Sequence, residues 1–431
     1  MKNPHKLDSK FAQLLSDLQW RFILLLIPPI SLLLFFSITI TGDNQFYTYK
    51  HNTTTTNRHS PPPPVFHTSN VTENKINWKS ELHRSRIAVC LVGGARRFDL
   101  TGPSIVENVL KAYPNSDLFL NSPLDADSYK FSLLKSVPRI AGVRISAASH
   151  VPETDADVRV LTPKNSPNGI QGLLQYFNLV EGCLTMIQSY QHQHNFTYNW
   201  IVRTRVDGYW SSPLSPKLFI PKKYVVPSGS SYGGFNDRFG VGDYTTSVAA
   251  LSRLSMIPEL DTAEFSYLNS ESAFQAQLSI RNITCVTSRV VPFCIVSDRR
   301  YRFPPKRLGV PVAAISSKGP LNGAKCRPCT PVCSGQCAAT VMNWLVRGWS
   351  WADDGDGGIQ LCDARGKWED GWPKIFDEVV GRKLAAERKM VWELSESQCV
   401  ADFEEMRRRT SVWEVASIVN VCGYGSGSVL T

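Results

Sequence analysis

Long apolar runs are scarce in this 431-residue chain, where residues 22 to 40, FILLLIPPISLLLFFSITI, form the one stretch of nineteen predominantly apolar positions without a charge. At about 1.5 Å per helical residue they nearly match the ~30 Å of a bilayer core, so one membrane span is expected and no stretch is left for a second. An A-x-A cleavage site is missing before Thr41 and twenty-one residues precede the run, which argues against a removed signal peptide. Histidine is absent after His194, so the cysteine-rich end of the chain lacks the nitrogen ligands of a Cys/His zinc site. Nucleic-acid modules are lacking too, and no nucleic-acid partner is expected. The net charge of +10 fits a well-solvated surface and also suits an anionic substrate such as a nucleotide diphosphate.

Before the apolar run stand Lys2, Lys6, Lys10 and Arg21 against Asp8 and Asp17. A positive flank stays cytosolic, so the remainder should be translocated, giving a single-pass type II protein of the Golgi or endoplasmic reticulum membrane. Pro28 and Pro29 kink the span without forbidding it. The expected organisation is a cytosolic tail over 1–21, a transmembrane signal anchor over 22–40 and a stem over 41–85. A main domain over 86–320 and a Cys/Trp-rich region over 321–431 follow. TTTT at 53–56 and PPPP at 61–64 cannot bury enough apolar surface to offset chain entropy, hence the stem. Sequons at Asn52, Asn70, Asn195 and Asn282 fit a lumenal location.

All eleven cysteines lie beyond the anchor, and their odd number leaves at least one thiol without an internal partner. Cys90, inside the apolar IAVCLV, is the expected free one, because unpaired cysteine behaves as a small hydrophobe. Cys326, Cys329, Cys333 and Cys337 are followed by Cys362, Cys399 and Cys422, and disulfides are expected among them in preference to zinc. Trp344, Trp349, Trp351, Trp368 and Trp372 would form the core of this small stapled appendage or a face for stacking sugars.

Within the main domain RIAVCLV (86–92) has the continuous apolar character of a strand buried on both faces. DLFLNS (117–122), VRVL (158–161), YNWIVRTRVD (198–207) and YVVP (224–227) predict further strands. Apolar residues from Ile170 to Ile187 at helical spacing predict a helix opened by Ser166 and Pro167. The alternation implies an α/β class, an open, mostly parallel sheet flanked by helices, with ligands beyond the strands' carboxyl ends. Gly93 and Gly94 let the backbone approach a phosphate there, and Arg96 and Arg97 offer forked donors. Strand alternation puts Arg203, Arg205 and Asp207 on one face, either as a surface charge ladder or as a diphosphate site in which Asp207 ligates Mn²⁺ or Mg²⁺. Literal Asp-x-Asp pairs stand at 125/127, 155/157 and 354/356, a pattern short enough to arise by chance, with the Asp125 pair after the DLFL strand an alternative metal site and the 155 pair at the wrong end of its strand. The glycine-crowded loop 230–243 around Asn236, Asp237 and Arg238 suits a mobile binding loop. Asn269 or Ser270 would cap a helix carrying Glu271 in its first turn, where it compensates the dipole or serves as a general base.

The order IAVCLVGGARRF, WIVRTRVDGYW, GGFNDRFGVG, NSESAF resembles that of GT-A type glycosyltransferase-like proteins. With SPNGIQGLLQYFNLVEGCL and KCRPC, residues 84–431 are similar to a plant family of Golgi-type, type II membrane members of that group. The resemblance implies a GT-A domain with a small disulfide-rich C-terminal appendage. It implies a nucleotide-sugar donor and a glycan, protein or lipid acceptor. Gly93, Gly94, Arg96, Arg97, Arg203 and Arg205 would bind the nucleotide, Asp207 the metal, and Asp237 or Glu271 would act as base. Arg205 stands where the first aspartate of an Asp-x-Asp would be, so an arginine can take over part of the metal's work. The alternative is a catalytically silent carbohydrate-binding or scaffold protein on the same fold.

Overall fold

The computed structural model describes residues 78–164, 166, 168–302, 310–343 and 358–423. The anchor, the stem before residue 78, Asn52, Asn70, Trp344, Trp349, Trp351 and the Asp354/Asp356 pair lie outside them. Among the described residues no helix is long and apolar enough to cross a membrane.

A short helix α1 (Trp78–Arg84) leads into β1 (Ile87–Val92), all of whose residues are buried. Helix α2 (Phe98–Ile105) carries the chain to β2 (Ser116–Pro123) and then β3 (Ile140–Ser146). After α3 (Asp155–Val160) and the long α4 (Gly169–His194) the chain returns to the other side of β1 as β4 (Trp200–Arg205) and turns into β5 (Gly208–Trp210). β6 (Lys223–Pro227), β7 (Phe239–Asp243), α5 (Tyr244–Leu251), α6 (Ile257–Thr262), α7 (Ser270–Ile280) and β8 (Thr284–Ser288) follow. The eight-stranded sheet runs β14-β3-β2-β1-β4-β7-β6-β8, with β14 being Val412–Val415. Only β7 runs antiparallel to its neighbours, so the expected mostly parallel α/β sheet is present.

A second sheet, β12-β13-β10-β11-β9-β5, is built from short strands: β9 (Phe293–Val296), β10 (Ala313–Ala314), β11 (Ala324–Arg327), β12 (Cys333–Ser334) and β13 (Gln360–Leu361). The bridges Cys294–Cys326, Cys329–Cys362 and Cys333–Cys337 tie it together, the last reaching helix α8 (Gln336–Asn343). Trp368 and Trp372 pack on its core, at the start of α9 (Trp372–Trp392). The residues after 320 are thus divided between both sheets: α10 (Glu396–Arg409), β14 and α11 (Ile418–Gly423) close the main one, bridged by Cys399–Cys422.

Three local expectations are corrected. Residues 158–160 are helical, because Thr154 and Asp157 form a reciprocal capping box that starts α3 ahead of them. Helix α4 begins at Gly169 after Asn168, not at Ser166. Cys90 is bridged to Cys183, fixing the central strand to α4, and the free thiol is Cys285 on the edge strand β8.

Candidate functional site

The order 3-2-1-4 makes the gap between the carboxyl ends of β1 and β4 a topological switch point, where open α/β sheets bind ligands. Val92 is in register with both Asn121 and Arg205. Gly93 leaves β1 at φ 123°, and a Cβ there would meet the Val206 side chain at 2.9 Å. A Cβ on Gly94 would lie 2.8 Å from Asp125 Oδ2, the atom that accepts the Ala95 N–H at 3.1 Å. Asp125 therefore anchors the glycine loop, while Asp157 belongs to the cap of α3, and neither described Asp-x-Asp pair is arranged for a metal. Arg96 and Arg97 both reach Asp298, at 3.4 and 3.2 Å, and Arg97 lies over the Trp368 ring at 4.3 Å. Arg97 thus pins the loop to the second sheet, whereas Arg96 remains open to solvent.

The alternation expected along β4 holds, with Trp200, Val202 and Val206 in one core and Ile201 in another. Both faces are covered, so this is no exposed charge ladder. Buried Arg203 donates to the Asp237 carbonyl and the Tyr176 hydroxyl of α4. Burial pulls its guanidinium down to about 10 despite Asp237 beside it. Arg205 grips Asp207 with a fork, Nε to Oδ1 at 2.8 Å and Nη2 to Oδ2 at 2.6 Å. Against the effect of burial, Arg205, then Lys325 and Arg238, hold the Asp207 carboxyl below its ordinary range.

The loop before β7 is held by buried bonds, which is why it does not stand out as a free arm. Asn236 donates to the Gly229 and Asn322 carbonyls at 2.9 and 3.1 Å. Arg238 is buried and donates to the Gly323 carbonyl at 2.6 Å. Asp237 accepts the Ser270 hydroxyl at 2.5 Å and lies 3.7 Å from Arg253 Nη2. Burial opposes its ionisation, but Arg253 and Arg203 outweigh that and keep the carboxyl low. Asn269 caps α7 as anticipated, which brings Glu271 to the same place. Burial and the Asp237 charge push the Glu271 carboxyl up to about 7.

Two site residues went unseen in the sequence, Arg253 and Lys325. Arg253 is buried over the Phe177 and Phe274 rings, at 4.6 and 4.7 Å. Lys325, a lone charge between buried Ala324 and Cys326 on β11, is pushed down to about 7 by burial and by Arg238 and Arg205, with Asp207 opposing. Arg203, Arg205, Arg238 and Arg253, with the Lys325 amine titrating at about 7, face Asp207, Asp237 and Glu271, four guanidinium groups and one titratable amine against three acidic groups.

A family model described as a domain of unknown function, DUF7796, matches residues 82–428. The chain belongs to that family. No curated protein matches it. The DUF7796 span takes in both sheets and the whole cluster.

Within this domain the cluster does not fit a divalent ion. Among the described residues no three His, Cys, Asp or Glu side chains converge to hold one. Both oxygens of Asp207 already accept from Arg205, which sets a guanidinium charge beside any ion they would ligate. A cation there would also face Lys325 and Arg238, whose charges reach the same carboxylate. The described sequons, Asn195 at the end of α4 and Asn282 after α7, are exposed in positive-φ turns at 50° and 52°. A cavity of about 440 Å³, lined by residues such as Arg86, Asn115, Asp117 and Arg139, opens at the other end of the strands. There Asp117 is held by Arg139 and the Tyr198 hydroxyl, both at 2.7 Å, so it takes no part in the cluster.

Proposed function

We propose that this chain is a GT-A type glycosyltransferase of the secretory lumen, moving a sugar from a nucleotide-sugar donor to a hydroxyl of a glycan, protein or lipid. The observation that carries this reading is the surplus of cationic groups at the switch point with a proton-accepting carboxylate, Glu271, among them. In the transfer the bond from the sugar's C1 to the β-phosphate oxygen breaks, and its electron pair stays with the diphosphate. The acceptor oxygen bonds to C1 and gives its proton to Glu271. A carboxyl titrating near 7 is matched to that task at neutral pH. Asp237 is less suited, since Ser270 and Arg253 occupy it. It is better read as a positioning residue. The guanidinium groups neutralise charge developing on the leaving diphosphate. The 22–40 run and five disulfides support a membrane-anchored, lumenal setting.

The test is turnover of nucleotide sugars by the full chain and by Glu271→Gln. Loss of about 10²-fold or more in kcat with KM little changed is expected for a lost general base. Unaltered kcat in the variant would remove Glu271 from the mechanism. The closed Arg205–Asp207 fork also suits the silent carbohydrate-binding reading, which predicts sugar binding with no hydrolysis or transfer of any donor.

A further inference from the structure

Resting on the transferase reading, we infer that Arg205, Arg238 and Lys325 hold the donor's diphosphate directly, in the place where a divalent ion would otherwise bridge it to Asp207. The forked pair is the first reason. A metal ligated through Asp207 would have to share an oxygen that already accepts from Arg205 at 2.6 or 2.8 Å, and would sit next to that fixed guanidinium charge. Asp207 acts instead as a positioning residue, setting the plane of Arg205 while leaving part of the fork open at the surface. The pair keeps side-chain exposures of 30% and 23%.

The second reason lies in how the second sheet meets the first. Gly208 is in register with Ile295, and Ile295 with Lys325, so Lys325 stands two strands, about 10 Å, from the corner made by Asp207 and Gly208. Val296 donates to the Asp207 carbonyl at 2.9 Å and locks that corner. Arg238 is fixed by the Gly323 carbonyl at 2.6 Å, one residue before β11. Three cationic groups are thereby supplied by β4, β7's entry and β11. A diphosphate spanning the gap would meet these groups and by its own charge favour the protonated form of Lys325, whereas a divalent ion would be repelled by both guanidinium groups. Lys325 and Arg238 extend the binding set beyond the β1 and β4 ends.

Binding is the measurement, by calorimetry on the full chain with detergent present. Inorganic pyrophosphate and a panel of nucleoside diphosphates are titrated in EDTA and again with Mn²⁺. The expected result is binding of pyrophosphate and at least one nucleotide with affinities the same in both buffers. Lys325→Gln should weaken both by about tenfold or more, as loss of a charge-assisted contact does, and Lys325→Arg should restore most of it. Binding that requires Mn²⁺ overturns the inference and leaves the transferase reading standing. Pyrophosphate binding with no nucleotide binding keeps the cationic clamp and removes the transferase. Binding of neither ligand in either buffer overturns both, as does indifference to Lys325→Gln for the clamp alone.

Discussion

Glu271 and Asp237 share one cluster and titrate in opposite directions, because only one of them has cationic groups close enough to outweigh burial. Asp237 has Arg253 at 3.7 Å and the Ser270 hydroxyl at 2.5 Å, and it stays ionised. Glu271 is half-buried beside that fixed negative charge, and its carboxyl rises from 4.5 to about 7. A raised carboxyl binds its proton more tightly in the folded protein than in the unfolded chain. Its favourable contribution is therefore complete below about pH 4.5 and is lost as pH climbs through about 7. Glu271→Gln stays neutral and escapes that loss. The variant and the parent should differ little near pH 5, and by about pH 8 the variant should be the more stable by on the order of 2–4 kcal/mol. Paired thermal melts across this range check it, and a gap that does not widen with pH would mean Glu271 titrates normally.

Glu271 is where it is because α7 starts against a glycine. A Cβ on Gly234 would fall 2.0 Å from the Glu271 carbonyl oxygen, the atom to which Phe235 N–H donates at 3.1 Å. Gly234→Ala must push the first turn of α7 away, costing about 1–3 kcal/mol as overpacked sites do, and on the proposed transferase reading should abolish turnover along with it. Gly233→Ala meets no atom within 4 Å and carries only the strain of φ 88°, so it should cost less and spare activity. Chemical denaturation of both variants, with turnover alongside, separates close approach from backbone strain. Elements of this kind were partly legible from the chain alone. β1, β2, β4 and β6 announced themselves by apolar runs ended by glycine, proline or a charge, and Asn269 announced α7 by its cap. VRVL misled because four residues fit either period, and the deciding capping box lies outside them at Thr154 and Asp157. Cys90 misled because an apolar strand hides a bridge to a helix 93 residues away. Arg253 and Lys325 could not be found, since each reaches the site only through tertiary packing on a separate element.

At the scale of the molecule, the candidate site is completed by the second sheet, and that sheet depends on its bridges. Lys325 sits beside Cys326, whose disulfide to Cys294 clamps β11 to β9, and β9 in turn pairs with β5 at the Asp207 corner. The Cys399–Cys422 bridge joins α10 and α11 under the far edge of the main sheet, where β14 pairs with β3. Both bridges close short loops, of 32 and 23 residues, so removing either should cost a similar amount, about 2–5 kcal/mol. Their consequences for ligand binding should differ. Cys294→Ser/Cys326→Ser frees β11 to shift against β9 and should weaken pyrophosphate binding as well as lower Tm. Cys399→Ser/Cys422→Ser should lower Tm alone, because nothing it holds touches the cationic cluster. Calorimetry and melts on the two double variants decide the point. If both pairs lose affinity equally, the loss reflects general destabilisation and not the placing of Lys325, and if neither does, the sheet holds Lys325 without the bridge. If only the first does, the disulfide-rich part of the chain is a wall of the binding site, which explains why its strands alternate in sequence with those of the main domain instead of following them as a separate appendage.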